Sequence, residues 1–122
     1  MPYELIWEER GVYRRYFGNV TIAERSRSFE EICNDPRFGE LRYSITDYLD
    51  VTSYEITSQA TEEIAARHEG PLTLNPNIII AAAVVNPSIV GAIEHFIAVK
   101  KFSQPYRMFP SIQAAREWVD GL

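Results

Sequence analysis

The sequence predicts an α/β fold. It reads as one domain over residues 1–122, with a mixed sheet of about five strands, about four helices and the order ββαβαβαβα. Three observations carry this reading. First, Asn77–Ser88 reads NIIIAAAVVNPS, and from Asn77 to Val85 nearly every residue is apolar, β-branched or alanine, with no polar alternation. That is the pattern of a strand buried on both faces. Second, Asn86 and Pro87 stop the run and open a helix, because Asn is a good N-cap and Pro at the first helical position loses no needed N–H. Third, strand patterns alternate with helix patterns along the chain, which calls for parallel pairing through right-handed crossovers.

Taken in order, Tyr3–Glu8 and Val12–Phe17 are aromatic and β-branched runs separated by Glu9, Arg10 and Gly11, the spacing of an antiparallel hairpin. Gly18-Asn19 closes the second run. Thr21-Ile22-Ala23-Glu24 fits a capping box and Ser28-Phe29-Glu30-Glu31 fits it again, so a helix starts between 21 and 28. Phe29, Ile32 and Cys33 form its inner face, and Asn34-Asp35-Pro36 ends it. Leu41–Thr46 alternates as a third strand. TDYLDVTS then reads as a polar loop, with Thr52-Ser53-Tyr54-Glu55 as a cap for a helix that runs to about His68 and ends at Gly70-Pro71. Ile56, Ala60 and Ile64 give that helix one narrow apolar stripe.

The helix from Pro87 to Phe102 is wider on its apolar side. Ile89, Val90, Ala92, Ile93, Phe96, Ile97 and Val99 cover roughly half its circumference, where packing on one sheet needs a stripe of only about 100°. Lys100 falls inside that stripe and can snorkel at the negative helix end. Pro105 introduces a short strand at Tyr106–Phe109. Pro110-Ser111 opens a last helix, Ile112–Val119, burying Ile112, Ala115, Trp118 and Val119.

Composition narrows the function classes. Twelve basic against 17 acidic residues leave a net charge of −5, which argues against binding a phosphate backbone. Cys33 is the only cysteine, so neither an internal disulfide nor a thiolate metal cluster is expected. MPYELIWEERG lacks the basic and apolar regions of a signal peptide, and no apolar run reaches membrane-spanning length, so a cytoplasmic protein is expected.

FGNVT, LRYSITDYLDVTS, IIIAAAVVNP and MFPSIQAAREWV, in this order and spacing, resemble the STAS superfamily, and most closely its SpoIIAA-like branch of small stand-alone bacterial proteins. The resemblance covers the chain from about residue 12. It implies a mixed sheet with helices, no enzymatic activity, and a regulatory role like that of anti-sigma factor antagonists, which are switched by phosphorylation. The fold is also similar to the CRAL-TRIO lipid-transfer fold, which implies a small-molecule or lipid-like ligand carrier as the alternative. The family's switch motif is Asp-Ser-Ser/Thr-Gly at a strand-to-helix turn. Asp50-Val51-Thr52-Ser53 is placed there, with Thr52 on the phosphoacceptor position. Val51 replaces the first serine and Ser53 the glycine, departures that speak against a kinase-controlled switch.

Two candidate surfaces follow. Outside the carboxyl ends of the parallel strands, where open sheets bind ligands, Asp47, Asp50, Thr52, Ser53, Asn86 and Ser88 form a polar rim for a partner or a phosphate. The bland alternative is that these hydroxyls and amides only cap helices. On the wide helix, Ile89, Ile93, Phe96, Ile97 and Phe102 form a protein or homodimer contact, or the wall of a pocket for a small apolar ligand. The alternative there is that the last helix and the chain ends cover them. Catalysis has no constellation. His68 and His95 lie on different helices as solvent-facing or flanking residues, Asp47 and Asp50 are solvated loop carboxylates, and Cys33 is an inert core thiol. No catalytic residue, metal ligand or cofactor is expected, nor any nucleic acid or stable membrane insertion.

Overall fold

A computed structural model describes residues 3–121. The strands are β1 (Tyr3–Glu8), β2 (Gly11–Val20), β3 (Tyr43–Tyr54), β4 (Ile79–Ala83) and β5 (Tyr106–Phe109). The helices are α1 (Ile22–Asn34), α2 (Ser58–Leu74), α3 (Pro87–Val99) and α4 (Ile112–Asp120). The strand and helix order is the predicted ββαβαβαβα. A 3₁₀ turn at Pro36–Glu40, absent from the sequence reading, buries Phe38 behind the end of α1.

The sheet order is β1-β2-β3-β4-β5, antiparallel at the first pair and parallel thereafter. Each right-handed crossover moves one strand in the same direction, so α1, α2 and α3 fall on the same face. Their core joins Val12, Ile32, Leu41, Ile64, Leu72, Ile80 and Phe96, continued by Tyr16, Val20, Tyr48, Val51, Ile89 and Ile93. The other face carries α4 alone, packed through Ala115 on Ile45 and Ala81. Ala81, Ala82 and Ala83 of β4 are wholly buried, and small side chains let helices approach from both sides. The strand is shorter than Asn77–Val85: it ends at Ala83, and Val85 is 61% exposed.

The second half of β3 departs most from expectation. Residues 47–53 form no loop; they continue the strand to Tyr54. Opposite Arg15 to Phe17 of β2, β3 runs from Asp47 to Asp50, and opposite Gly18 to Asn19 it runs from Val51 to Ser53. Each mismatch is a bulge, which adds one residue and turns the side chains that follow. Tyr48, Val51 and Tyr54 therefore recur every three residues on the helix-covered face, a spacing that looks helical in the sequence. Gly18 supplies the required backbone on the partner strand, with φ of +68°. β2 correspondingly runs on through Gly18-Asn19 to Val20.

Helix ends follow local chemistry. Thr21 caps α1 in a reciprocal box with Glu24, whereas Ser28 lies inside the helix and caps nothing. α2 starts after Thr57, whose hydroxyl accepts from the Ala60 N–H at 3.0 Å, and not at Thr52. It also continues through Gly70-Pro71 to Leu74. The buried Leu72 anchors that extension, and the Gln104 amide donates to its carbonyl at 2.6 Å.

The hairpin turn is shorter than expected. Glu8 pairs with Gly11, leaving Glu9 and Arg10 as the turn, with Arg10 at φ 59°. Gly11 has a packing role: a Cβ there would lie 2.0 Å from Cζ of Tyr43, whose ring covers the glycine from the neighbouring strand. Tyr43 cannot swing away freely, because its hydroxyl donates to Glu8, which also holds Arg116 of α4 through two bonds of 2.9 and 2.6 Å. Gly11→Ala is expected to destabilise the protein by about 1–3 kcal/mol through this overpacking. Urea denaturation checks it; an unchanged midpoint would show that the ring relocates at no cost.

Candidate functional site

Four helices start at the carboxyl edge of the parallel strands, each capped by a side chain at its first turn: Thr21, Thr57, Asn86 and Ser111. The structure scatters the predicted rim. Asp47 points to the α4 side, only 5% exposed, accepting from the Tyr13 hydroxyl and from the Leu49 N–H at 2.9 Å. It is a buried strand residue, not a solvated loop carboxylate. Burial, and then the bond to Asp47, push the Tyr13 phenol well above its usual pKa. Asp50 is exposed and takes two bonds from Arg15, at 3.1 and 2.7 Å. Thr52 and Ser53 are exposed strand residues, and Ser53 donates to Asn19. Asn86 and Ser88 occupy the β4–α3 turn, where the Asn86 side chain accepts from the Ser88 N–H at 2.9 Å.

The wide face of α3 is covered. Ile89, Ile93, Phe96 and Phe102 are buried and Ile97 is half-buried. The cover comes from the sheet and α2, not from the last helix, which lies on the opposite side. The large exposed hydrophobics among the described residues are Ile6, Ile22, Leu49, Leu74 and Val85, none of them on α3. Lys100 donates its ammonium to the carbonyls of Phe102 at 2.7 Å and Gln104 at 3.3 Å, closing the turn that follows the helix.

A polar centre lies under the helices instead. β2 carries Arg14 inward and Arg15 outward, and α1 brings Arg25 and Ser28 against it. Arg14 donates to Ser28 Oγ and Thr46 Oγ1, both at 3.1 Å, and lies 5.3 Å from the Tyr16 ring centre. Tyr16 shares a hydrogen bond with Ser28, which also donates to the Arg25 carbonyl at 3.0 Å. Tyr48 stacks on Tyr16 with centroids 5.4 Å apart and meets Tyr54 edge-on. Burial holds the phenols of Tyr54 and Tyr106 far above their ordinary pKa, so both stay protonated. Arg14 and Arg25 are each only 4% exposed, and among the described residues neither forms an ion pair. Arg14 Nε and Arg25 Nη1 have no hydrogen-bond partner.

Two small cavities open onto this centre. One, of about 20 Å³, is lined by Arg14, Arg25, Ser44, His68, Tyr106 and apolar neighbours. The other, of about 10 Å³, lies between Arg25, Tyr48, Tyr54 and α3. Among the described residues no three His, Cys, Asp or Glu side chains are grouped to hold a metal ion. Cys33 is half-buried beside Phe29, and burial lifts its thiol to about 11.

No family model matches the sequence, and no curated protein matches it significantly. The structure is similar to that of the anti-sigma factor antagonist SpoIIAA in its unphosphorylated form, with a TM-score of 0.67 and 12% identity, covering 98% of this chain and 99% of that chain. The fold is STAS-like. At that identity the likeness speaks for the fold alone. Within this STAS-like fold the turn from β3 into α2 is Glu55–Thr57, so Asp50-Val51-Thr52-Ser53 sits inside the strand and not at a helix N-terminus. The two β3 bulges break the period of two that would mark these residues as strand in the sequence.

The sequence reading missed the buried arginines and His68. Arg25 and Ser28 look solvent-facing because α1 has a partly polar inner face, and only the register of β2 tells Arg14 from Arg15. His68 is buried rather than solvent-facing, stacked 3.6 Å from Phe29 and edge-on to Phe96. Its Nδ1 donates to the Ile64 carbonyl at 2.7 Å. Burial, and then the positive charges of Arg25 and Arg14, hold its pKa well below the ordinary value. A depressed pKa stabilises the fold above the unfolded value of about 6.5, and that contribution is lost as the pH falls, because only the unfolded chain takes up the proton. His68→Leu is therefore expected to show a smaller loss of stability than the natural protein between pH 7.5 and 5.5, the gap changing by roughly 1 kcal/mol. Urea midpoints at the two values check it; a constant gap would mean that His68 accepts its proton in the folded state.

Proposed function

We propose that this STAS-like domain is a non-enzymatic regulatory domain that binds a protein, either a distinct partner or a second copy, at the carboxyl edge of its sheet. The observation that carries the reading is the fold shared with an anti-sigma factor antagonist over nearly the full length of both chains. The surface of that edge is consistent with it. β3 pairs with β4 only as far as Asp47 opposite Ala83, so its residues 48–54 run on beyond β4 and pair with β2 alone. This overhang and the β4–α3 turn expose Asp50, Thr52, Ser53, Asn86 and Ser88, with Leu49 and Val85 as apolar members. Unpaired strand edges and exposed apolar side chains are the features that partner proteins recognise. In this reading Asp47 supports the sheet from inside and makes no contact. No helix among the described residues is long and apolar enough to cross a membrane.

Val85→Asp places a charge at the centre of the proposed contact, while Leu74→Asp changes a side chain that is 80% exposed at the far end of α2. Light scattering reports self-association, and affinity capture from the source organism followed by titration with the captured protein reports a distinct partner. Val85→Asp is expected to weaken the complex at least roughly tenfold, since a buried unpaired charge costs several kcal/mol. Leu74→Asp is expected to leave it unchanged. Equal binding by both variants would rule out the edge, and a strict monomer without a specific partner would rule out the function.

A further inference from the structure

We propose that the layer between the sheet and α1–α2 holds an anion-binding site, in which the guanidiniums of Arg14 and Arg25 grip one compact oxyanion group, free or carried as the carboxylate head of an apolar molecule. This site is separate from the carboxyl edge, and either reading can fail without the other.

A guanidinium does not give up its proton in a protein, so Arg14 and Arg25 bring two positive charges into an interior where each is only 4% exposed. Buried charges are ordinarily paired. These two meet neutral groups: the hydroxyls of Ser28 and Thr46 around Arg14, and the phenols of Tyr48, Tyr54 and Tyr106 about Arg25. Tyr54 and Tyr106 stay protonated in this setting and bring no negative charge. One N–H nitrogen on each arginine is left without a protein partner, and both side chains line the same cavity of about 20 Å³. Arginine is the side chain whose planar fork of donors matches an oxyanion, and a hydrogen bond to a charged acceptor is about twice as strong as a neutral one. The Ser44 hydroxyl on the same wall can add a further donor.

Size and access define the ligand. The cavity admits one water-sized group, which excludes a bulky or multiply charged head. Phe29 lines this cavity and also a groove of about 270 Å³ between α1 and α2, where Cys33, Ile64 and Pro71 are its apolar neighbours. Phe29 is thus the side chain between the groove and the arginines. A carboxylate that passes it would leave a hydrocarbon tail in the groove, whereas a free anion would leave the groove empty.

The test is thermal unfolding at constant ionic strength with sodium formate, sodium decanoate or 1-decanol added to the natural protein, Arg14→Met and Arg25→Met. Formate or decanoate is expected to raise Tm by roughly 5 °C or more near saturation. Decanol is expected to do much less, and each variant should lose the rise. A response to formate identifies a free oxyanion, and a response to decanoate alone identifies the head of an apolar molecule. If neither raises Tm, if decanol matches decanoate, or if both variants keep the rise, the site is overturned. Should the variants fail to fold, the Nε–H resonances of Arg14 and Arg25 in the natural protein decide: they shift together during titration if the site is real, and stay fixed if it is not.

Discussion

The side chain of Arg14 sets the terms for everything packed on the helical face. It enters from β2, a strand with neighbours on both sides, and its cation must be surrounded by groups able to accept hydrogen bonds. That requirement explains why Ser28 faces inward from the middle of α1 and why Thr46 faces inward from β3, positions that would otherwise suit aliphatic residues. It also explains the ring of Tyr16, which presents its face to the guanidinium and its hydroxyl to Ser28. Helix and sheet are thereby joined by hydrogen bonds at their centre, with the apolar clusters on either side. Replacing such a centre with hydrophobic residues of similar volume is often neutral or stabilising, so packing alone gives no reason for the charge.

Local signals were legible in the sequence, and those that depend on register or on distant partners were not. β4 and the start of α3 were legible because each signal is local: a run of apolar and small residues, then an Asn cap and a Pro. The cap of α1 at Thr21 was legible for the same reason. The second half of β3 was not, since two bulges convert a period of two into the spacing Tyr48, Val51, Tyr54, and the strand's polar residues then resemble a loop. The far end of α2 failed differently. Gly70-Pro71 is a strong stop signal locally, and it is overridden by the burial of Leu72 and by the amides of Asn75 and Gln104, which are distant in sequence from the groups they bind.

The candidate sites divide along similar lines. The exposed edge residues could be named because a strand-to-turn boundary followed by a capped helix is a sequence pattern, although β3 ends later than that pattern suggests, at Tyr54. The polar interior was invisible because it is assembled from three elements whose inward faces cannot be assigned without register. Arg14 and Arg15 are adjacent and chemically identical, yet one is buried among hydroxyls and the other pairs with Asp50 at the surface.

The strand order in the sheet is the order in the chain. It puts three helices on one face and leaves the other to the single short α4, and the two small cavities beside Arg25 lie on the first face. The thin face is held together by half-exposed polar links such as Glu8 with Tyr43 and Arg116, where water can still share the charge. Arg14 and Arg25 have no such recourse. On the thick face the neutral hydroxyls around Arg14 supply orientation without supplying charge, and that imbalance is what the proposed anion would remove.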